Sequence, residues 1–320
     1  MLKAAPTPLA KGWIKDLLRN SDLIGIVPFK SLDGLQVTGT RWQTIPSVGW
    51  RKLGGGYTES TGNVEEIVET MFQLGGDVKI DRVSTKVKNY VQDPLQTAMQ
   101  QKAASVAFNF NNAFVNGDNA VPAFVDAFEG VKKRNSNMPA RMTINLYGVD
   151  VGDGYPILKD VAHMNTFLDA LHQAVQYVPG ATHILCNEQT LLGLGKLYRR
   201  LGLLETTTDA YGRVWNSFRN IPLVDVGLLA DKSTEVITNS EDPGDAGNDC
   251  TSLYVVALNT DNGLHAIQLS GTSPNPYDPL NGAEMEAGPQ FLRRIDWTVG
   301  LFNLSQYSIL RLKGFRVAAA

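Results

Sequence analysis

The chain has little of what chemistry usually needs. Two of its 320 residues are cysteine, Cys186 and Cys250, and four are histidine. Two thiols do not make a disulfide framework, and Cys186, inside the apolar run His183-Ile184-Leu185-Cys186, reads as a buried reduced thiol. His183 is three residues from that cysteine, and on a strand the two point to opposite faces. His163 and His172 stand nine residues apart in a helical pattern, which at about 100° per residue puts them on nearly opposite faces, too far apart to share a metal. There is no His-Glu-Xaa-Xaa-His, no phosphate-binding Gly-Xaa-Xaa-Xaa-Xaa-Gly-Lys-Ser/Thr and no Gly-Xaa-Ser-Xaa-Gly elbow. The acidic loop Glu241 to Asp249 does not match the twelve-residue calcium loop and reads as a solvated turn. These absences leave no catalytic machinery, cofactor or metal to expect. No apolar run approaches the roughly 18 residues that span a bilayer, and the start, with Pro6 and Pro8, lacks a secretory core, so a cytoplasmic chain with no membrane partner is expected.

Charge is also scarce. The net value is -3, which argues against an affinity built on neutralising many phosphates. Its distribution is uneven. Eleven acidic residues lie between Asp225 and Glu286 against the single basic Lys232, whereas the last thirty residues carry Arg293, Arg294, Arg311, Lys313 and Arg316 against Asp296 alone. Segments of opposite sign either meet across subunit contacts or form two solvated faces.

What is present is 43% hydrophobic residues, enough for a substantial core in one large domain or two intimate lobes. Residues 1 to 30, with scattered prolines and the amphipathic Trp13-Ile14-Lys15-Asp16-Leu17-Leu18, read as an extended arm. Leu35 to Tyr57 is rich in Thr, Val, Trp and Gly, with Gly54-Gly55-Gly56 breaking any regular element, and predicts a long projecting hairpin. A helix about 33 Å long is expected from Pro94 to Val115, with Asp93 able to cap it. Met164, Phe167, Leu168, Leu171, Ala174 and Val175 give a second amphipathic helix from Val161 to Tyr177. After Pro179-Gly180 come a strand, Thr182 to Cys186, and a third helix, Asn187 to Leu201, stopped by Gly202. Gly193 and Gly195 in that helix are expected to permit close packing. From Val214 to Ile267 short strands alternate with turns, and Asn262-Gly263, between Leu253–Leu258 and Leu264–Leu269, is a strong hairpin signal. The fold class is α+β.

Several short motifs carry a resemblance. Phe114-Val115-Asn116-Gly117-Asp118 and Phe128-Glu129-Gly130-Val131 follow the long helix. Leu74-Gly75-Gly76-Asp77-Val78-Lys79-Ile80-Asp81-Arg82 precedes it, Asn220-Ile221-Pro222-Leu223-Val224 lies further on, and Arg293-Arg294-Ile295-Asp296-Trp297-Thr298-Val299-Gly300-Leu301 and Leu312-Lys313-Gly314 close the chain. Their order and spacing, over residues 65 to 317, resemble the major capsid proteins of tailed bacteriophages, of the Hong Kong 97 type.

The resemblance implies an N-terminal arm (1–30), an extended loop (31–73), a peripheral domain (74–186 and 289–320) with the long "spine" helix (94–115), and an axial domain (187–288). It implies a structural protein, not an enzyme. Copies of the chain would form hexamers and pentamers of an icosahedral head around double-stranded DNA held by generic contact, assembled in the host cytoplasm and found in the virion. A separate scaffolding protein is expected because the arm is too short to hold a fused one. A portal and a decoration protein are further partners the family uses. Subunit-contact candidates are Trp13, Trp42, Trp50, Arg51, Lys52 and Tyr57, unless the hairpin tryptophans fold back on their own subunit. Asn116, Gly117, Asp118, Phe128, Gly130, Trp297 and Gly300 are implied as structural motif residues. Lys52 lies where some members crosslink, but no acid–asparagine partner pair is evident, and a salt-bridging role is the simpler expectation. An encapsulin-type shell is the alternative within the fold, and a monomeric soluble enzyme or binding module the alternative outside it.

Overall fold

A computed structural model describes residues 22–86, 94–147, 154–202, 206–208, 214–242, 250–272 and 274–317. Along the chain, α1 (Asp22–Ile26) leads to β1 (Phe29–Leu32), the hairpin of β2 (Gln36–Thr44) and β3 (Asn63–Thr70), β4 (Phe72–Asp81) and the short α2 (Arg82–Lys86). The long α3 (Pro94–Asn116) and short α4 (Val131–Ser136) follow, then β5 (Thr143–Asn145), β6 (Tyr155–Pro156), α5 (Val161–Tyr177), β7 (His183–Cys186) and α6 (Glu188–Leu201). The remainder is strand: β8 (Thr206–Thr208), β9 (Val214–Phe218), β10 (Ile221–Asp225), β11 (Thr251–Val256), β12 (Leu264–Leu269), β13 (Pro276–Tyr277), β14 (Gln290–Asn303) and β15 (Ile309–Arg316).

The expected helices form for the expected reasons. In α3 the buried Met99, Ala103, Val106, Ala107, Phe110 and Phe114 recur at three- and four-residue steps along one stripe. Asp93, the expected cap, lies outside the described residues. Asp160 caps α5 by accepting from the His163 N–H, and Asn187 caps α6 by accepting from that of Thr190. Gly202, at φ 70°, ends α6 in the left-handed conformation. Gly193 of that helix lies against Val317, where a Cβ would come within 2.3 Å of a methyl group. Gly195 has open space and no such role.

Two sheets share the cores. The five-stranded sheet runs β1-β12-β14-β13, with β4 along the other side of β14 over ten residue pairs, Gln290 to Val299 against Asp81 to Phe72. The eight-stranded sheet runs β5-β15-β11-β7-β10-β9-β8, with β6 also on β15. Its inner strands are apolar on both faces. Ile184, Cys186, Leu223, Leu253, Val255 and Leu310 join one core with α5 and α6, while the alternate residues Leu185, Val224, Tyr254, Val256 and Ile309 join another with α3 and β14.

Four expectations need correction. The arm does not extend to residue 30: Leu23, Ile24 and Val27 are buried against α3, and β1 pairs in parallel with β12, so only residues 1–21, outside the described residues, are left for it. The lobes do not divide at 186 and 288. Helix α5 and strand β15 share their core with α6, β10 and β11, while β12 and β13 join β14 in the other sheet, because packing partners here are distant in the chain. Asn262-Gly263 does not close a hairpin. Strand β11 is already paired on both edges, by β15 and β7, so the chain turns away and β12 enters the other sheet. Finally, acidic and basic segments meet within the subunit: Arg311 bonds Glu241 at 2.8 Å, and Arg293 bonds Asp278. Most of the acidic loop, residues 243–249, lies outside the described residues.

Candidate assembly surfaces

The hairpin of β2 and β3 stands out because its polarity is inverted. Strand alternation sends Val37, Gly39, Arg41, Glu65, Ile67 and Glu69 towards the body and Trp42, Val64 and Val68 to solvent. Trp42 lies directly opposite Val64 across the strand pair and is 77% exposed. The body-facing side holds ion pairs instead: Arg41 bonds Glu65 at 2.8 Å, and Arg134 of α4 grips Glu69. Apolar side chains are thus buried on the body side only at the root, whereas those at the far end are displayed to solvent. The tip continues the pattern, with Val48, Trp50 and Leu53 at 98, 106 and 103% exposure, and with Ile45 and Tyr57 also exposed. Trp42 and Trp50 therefore do not fold back onto their own subunit. Arg51 lies over the Tyr57 ring at 5.2 Å and donates to the Gly55 carbonyl, and Lys52 is exposed beside it. Trp13 lies outside the described residues.

The root of the hairpin is firmly seated. Val37 and Ile67 pack with Met71, Ile267 and Phe302 in a small third cluster. Gly39 lies flat against the Phe302 ring, where a Cβ would come within 2.8 Å. The buried Arg134 donates to both Glu69 oxygens, to the Leu301 carbonyl at 2.9 Å and to the Glu129 carbonyl at 2.8 Å, so one guanidinium ties β3 to β14 and to the loop after α3.

The motif residues beside this clamp are architectural. Gly117 and Gly130 meet back to back: the Gly130 N–H donates to the Gly117 carbonyl at 2.8 Å, and a Cβ on either would fall within 2.6 Å of a backbone oxygen. Asn116 donates to the Val236 carbonyl at 2.8 Å, fastening the end of α3 to the segment after β10. Asp118 accepts from the Ala120 N–H and pairs with Lys133 at 3.2 Å, and that backbone bond first, then the lysine, holds its carboxyl below the usual range. Phe128 is buried with its ring 5.9 Å from that of Phe110. Trp297 is fully buried, 5.3 Å from Phe110 and 5.6 Å from Phe29, and its indole N–H reaches Gln268. Gly300 pairs with Ile267 and leaves room for its side chain.

Among the described residues, two clefts outside these cores stand out. One, of about 340 Å³, lies at the hairpin root and is lined by Glu65, Glu66, Ile67, Glu69, Glu129, Arg134 and Met138 among others. The other, of about 640 Å³, is an open polar hollow at the start of α6, where burial raises the proton affinity of Glu235. Glu241 is nearly covered. Burial pushes its pKa up, but Arg311 and Lys132, aided by the Ser252 hydroxyl, outweigh that and bring it below its ordinary value. Cys186 and Cys250 are buried thiols outside any disulfide, and burial drives the Cys186 pKa far upward. No group of three or more metal-binding side chains exists among the described residues, and no helix there is long and apolar enough to cross a membrane.

Sequence reasoning missed the Arg134–Glu69 clamp and the exposed Val64 and Val68. The alternation in Asn63-Val64-Glu65-Glu66-Ile67-Val68-Glu69-Thr70 carries the signal for the two valines, but it does not say which face is outward.

No protein-family model and no curated protein sequence matches the chain. Solved structures do. The holo-SrpI encapsulin complex of Synechococcus elongatus matches with a TM-score of 0.61 at 10% identity, over 93% of this chain and 88% of that one. The capsid of a native GTA particle matches at 0.57 and 16% identity, over 94% and 90%. A chain of the satellite phage P4 procapsid matches at 0.53 and 11%, over 96% and 99%. The chain has the α+β fold of Hong Kong 97-type shell proteins.

Proposed function

We propose that this chain is the major capsid protein of a tailed bacteriophage, assembling into hexamers and pentamers of an icosahedral head that encloses double-stranded DNA. The observation that carries the reading is the inside-out hairpin. Trp42, Val64, Val68 and the tip residues Val48, Trp50 and Leu53 are exposed together on an element whose own-subunit face carries the Arg41–Glu65 and Arg134–Glu69 ion pairs beside the apolar root, which is how a surface destined for a neighbouring copy is built.

The lobe of the eight-stranded sheet with α5 and α6 is the axial one in this proposal, and the five-stranded sheet with α3 is the peripheral one. Tip-to-neighbour contacts are heterologous and close into rings, and further contacts join the rings into a shell. A separate scaffolding protein and a portal direct assembly, and a decoration protein is compatible with the exposed outer surface.

A second reading, an encapsulin-type shell around protein cargo, is favoured by the 0.61 match to an encapsulin complex. The Trp297-Thr298-Val299-Gly300-Leu301 strand supports the phage branch. Both are tested by expressing the chain alone and then with the genes that flank it, followed by light scattering and negative-stain electron microscopy. Rings or closed shells are expected, with nucleic acid inside them for the phage reading and protein for the encapsulin. A homogeneous monomer under every condition overturns both.

A further inference from the structure

The sequence holds three Asn-Gly pairs, Asn116-Gly117, Asn262-Gly263 and Asn281-Gly282. Such a pair can react with itself, because glycine has no Cβ to keep its own nitrogen from the side-chain carbonyl carbon of the asparagine before it. The fold closes that route at two of them. The Asn116 amide is held by the Asn112 side chain at 3.0 Å and the Val236 carbonyl at 2.8 Å, and the Gly117 N–H by the Ala113 carbonyl at 2.9 Å. Gly263 is buried, with the Ala257 carbonyl 2.4 Å from where a Cβ would stand, and the Asn262 carbonyl accepts from the Ser305 N–H at 3.2 Å. Asn281-Gly282, between β13 and β14, is the open pair. Both residues are exposed, at φ 49° and 86°, and nothing lies within 4 Å of a Cβ placed on Gly282. The Asn281 side chain has no hydrogen-bond partner among the described residues, and the Gly282 N–H donates to Asp278 Oδ2 at 2.7 Å.

We propose that Asn281 is a site of self-modification, at which the chain deamidates through a succinimide closed with Gly282. The Gly282 nitrogen gives up its proton, for which Asp278 Oδ2 is the acceptor already in place, and bonds to Asn281 Cγ. The Cγ–Nδ2 bond breaks, and Nδ2 takes up a proton and leaves as ammonia. Solvent water then opens the ring. Attack at Cγ breaks the new bond and leaves aspartate, whereas attack at the main-chain carbonyl of residue 281 breaks the original peptide bond and leaves isoaspartate, whose backbone is one carbon longer. Either product adds a negative charge to a segment that already carries Asp278, Glu284 and Glu286. Asp278 and Glu284 tie that segment to Arg293 and Arg82, so the new carboxylate competes for the same cations. The step depends only on this turn and not on the shell reading, although a wall that is not renewed after assembly has the time to accumulate so slow a change.

The test is a time course on the full chain held in mildly alkaline buffer, sampled over days and mapped by fragmentation mass spectrometry of its peptides. The mass gain of an amide exchanged for an acid is expected at residue 281 before any appears at 116 or 262, with isoaspartate exceeding aspartate there. A parallel sample unfolded in guanidinium chloride should convert all three asparagines at comparable rates, which would show that the fold makes the choice. An Asn281 that stays intact in the native chain after the unfolded chain has converted overturns the proposal. So does native conversion at Asn116 or Asn262 as fast as at Asn281.

Discussion

Arg134 holds both carboxylate oxygens of Glu69, and through them the base of a hairpin whose tip, Ile45 to Tyr57, is largely exposed. The Arg134 side chain is 6% exposed, so removing its partner leaves a nearly buried cation. Glu69→Ala is expected to destabilise the subunit by about 3 kcal/mol, at the low end for breaking a buried pair because Glu69 keeps some solvent. It is also expected to speed proteolysis between residues 45 and 62. Thermal melting and limited digestion measure the two effects. Unchanged cleavage would mean that the small apolar cluster seats the hairpin unaided.

The clasp at the end of α3 tolerates no side chain. A Cβ on Gly130 would lie 2.5 Å from the Ala113 carbonyl and 2.8 Å from that of Phe114, both fixed helix backbone. Gly130→Ala is expected to cost about 3 kcal/mol in chemical denaturation, the upper part of the range for overpacking, since no flexible side chain can yield. Gly195→Ala, where nothing lies nearby, is the matched control and should be neutral or slightly stabilising.

Trp42→Ser separates assembly from folding. The indole packs on nothing large in its own subunit, so the melting temperature of the unassembled chain should hold within the shift that about 0.5 kcal/mol produces. Particle formation should fall sharply. Equal loss of both would place the indole in the subunit's own fold.

Acid stability should depend on Glu241. Its carboxyl sits below the ordinary value of 4.5, because Arg311 and Lys132 overcome the effect of burial. A depressed folded-state pKa means that the stabilisation is complete above the unfolded-state value and is lost as pH falls through the folded-state one. Stability measured by denaturant titration should therefore hold at neutral pH and decline below about pH 4.5. In Glu241→Gln the neutral-pH plateau should be lower and the acid decline shallower. An unchanged acid limb would assign the decline to other carboxylates, such as Asp118.

The Cys186 thiol, enclosed in the core and with its pKa driven up, should resist iodoacetamide in the native chain and react only on unfolding. Rapid native labelling at Cys186, read by mass spectrometry, would show that the sheet opens.

Local patterns were legible and distant ones were not. Pro94 and the spaced apolar residues announce α3, and Asn187 with Gly202 brackets α6 to within a residue, because caps and periodicity act over one or two turns. Asn262-Gly263 misled because a local turn preference cannot know that both edges of β11 are occupied by strands from elsewhere in the chain. The Arg134–Glu69 pair spans 65 residues and leaves no pattern at all. For the assembly surfaces, Trp42, Trp50, Arg51, Lys52 and Tyr57 were marked by composition and resemblance. Val64 and Val68 emerged only when strand register fixed which way each points.

The chain passes from one sheet to the other three times, after β4, after β11 and after β14. The last passage uses only the five residues between Asn303 and Ile309, a tether that reaches about 20 Å when fully stretched. Neither sheet can be peeled from the other without pulling on covalent backbone. A wall made of such subunits carries tension through stitched chain as well as through packed side chains, and under outward load it should part between subunits before any subunit tears.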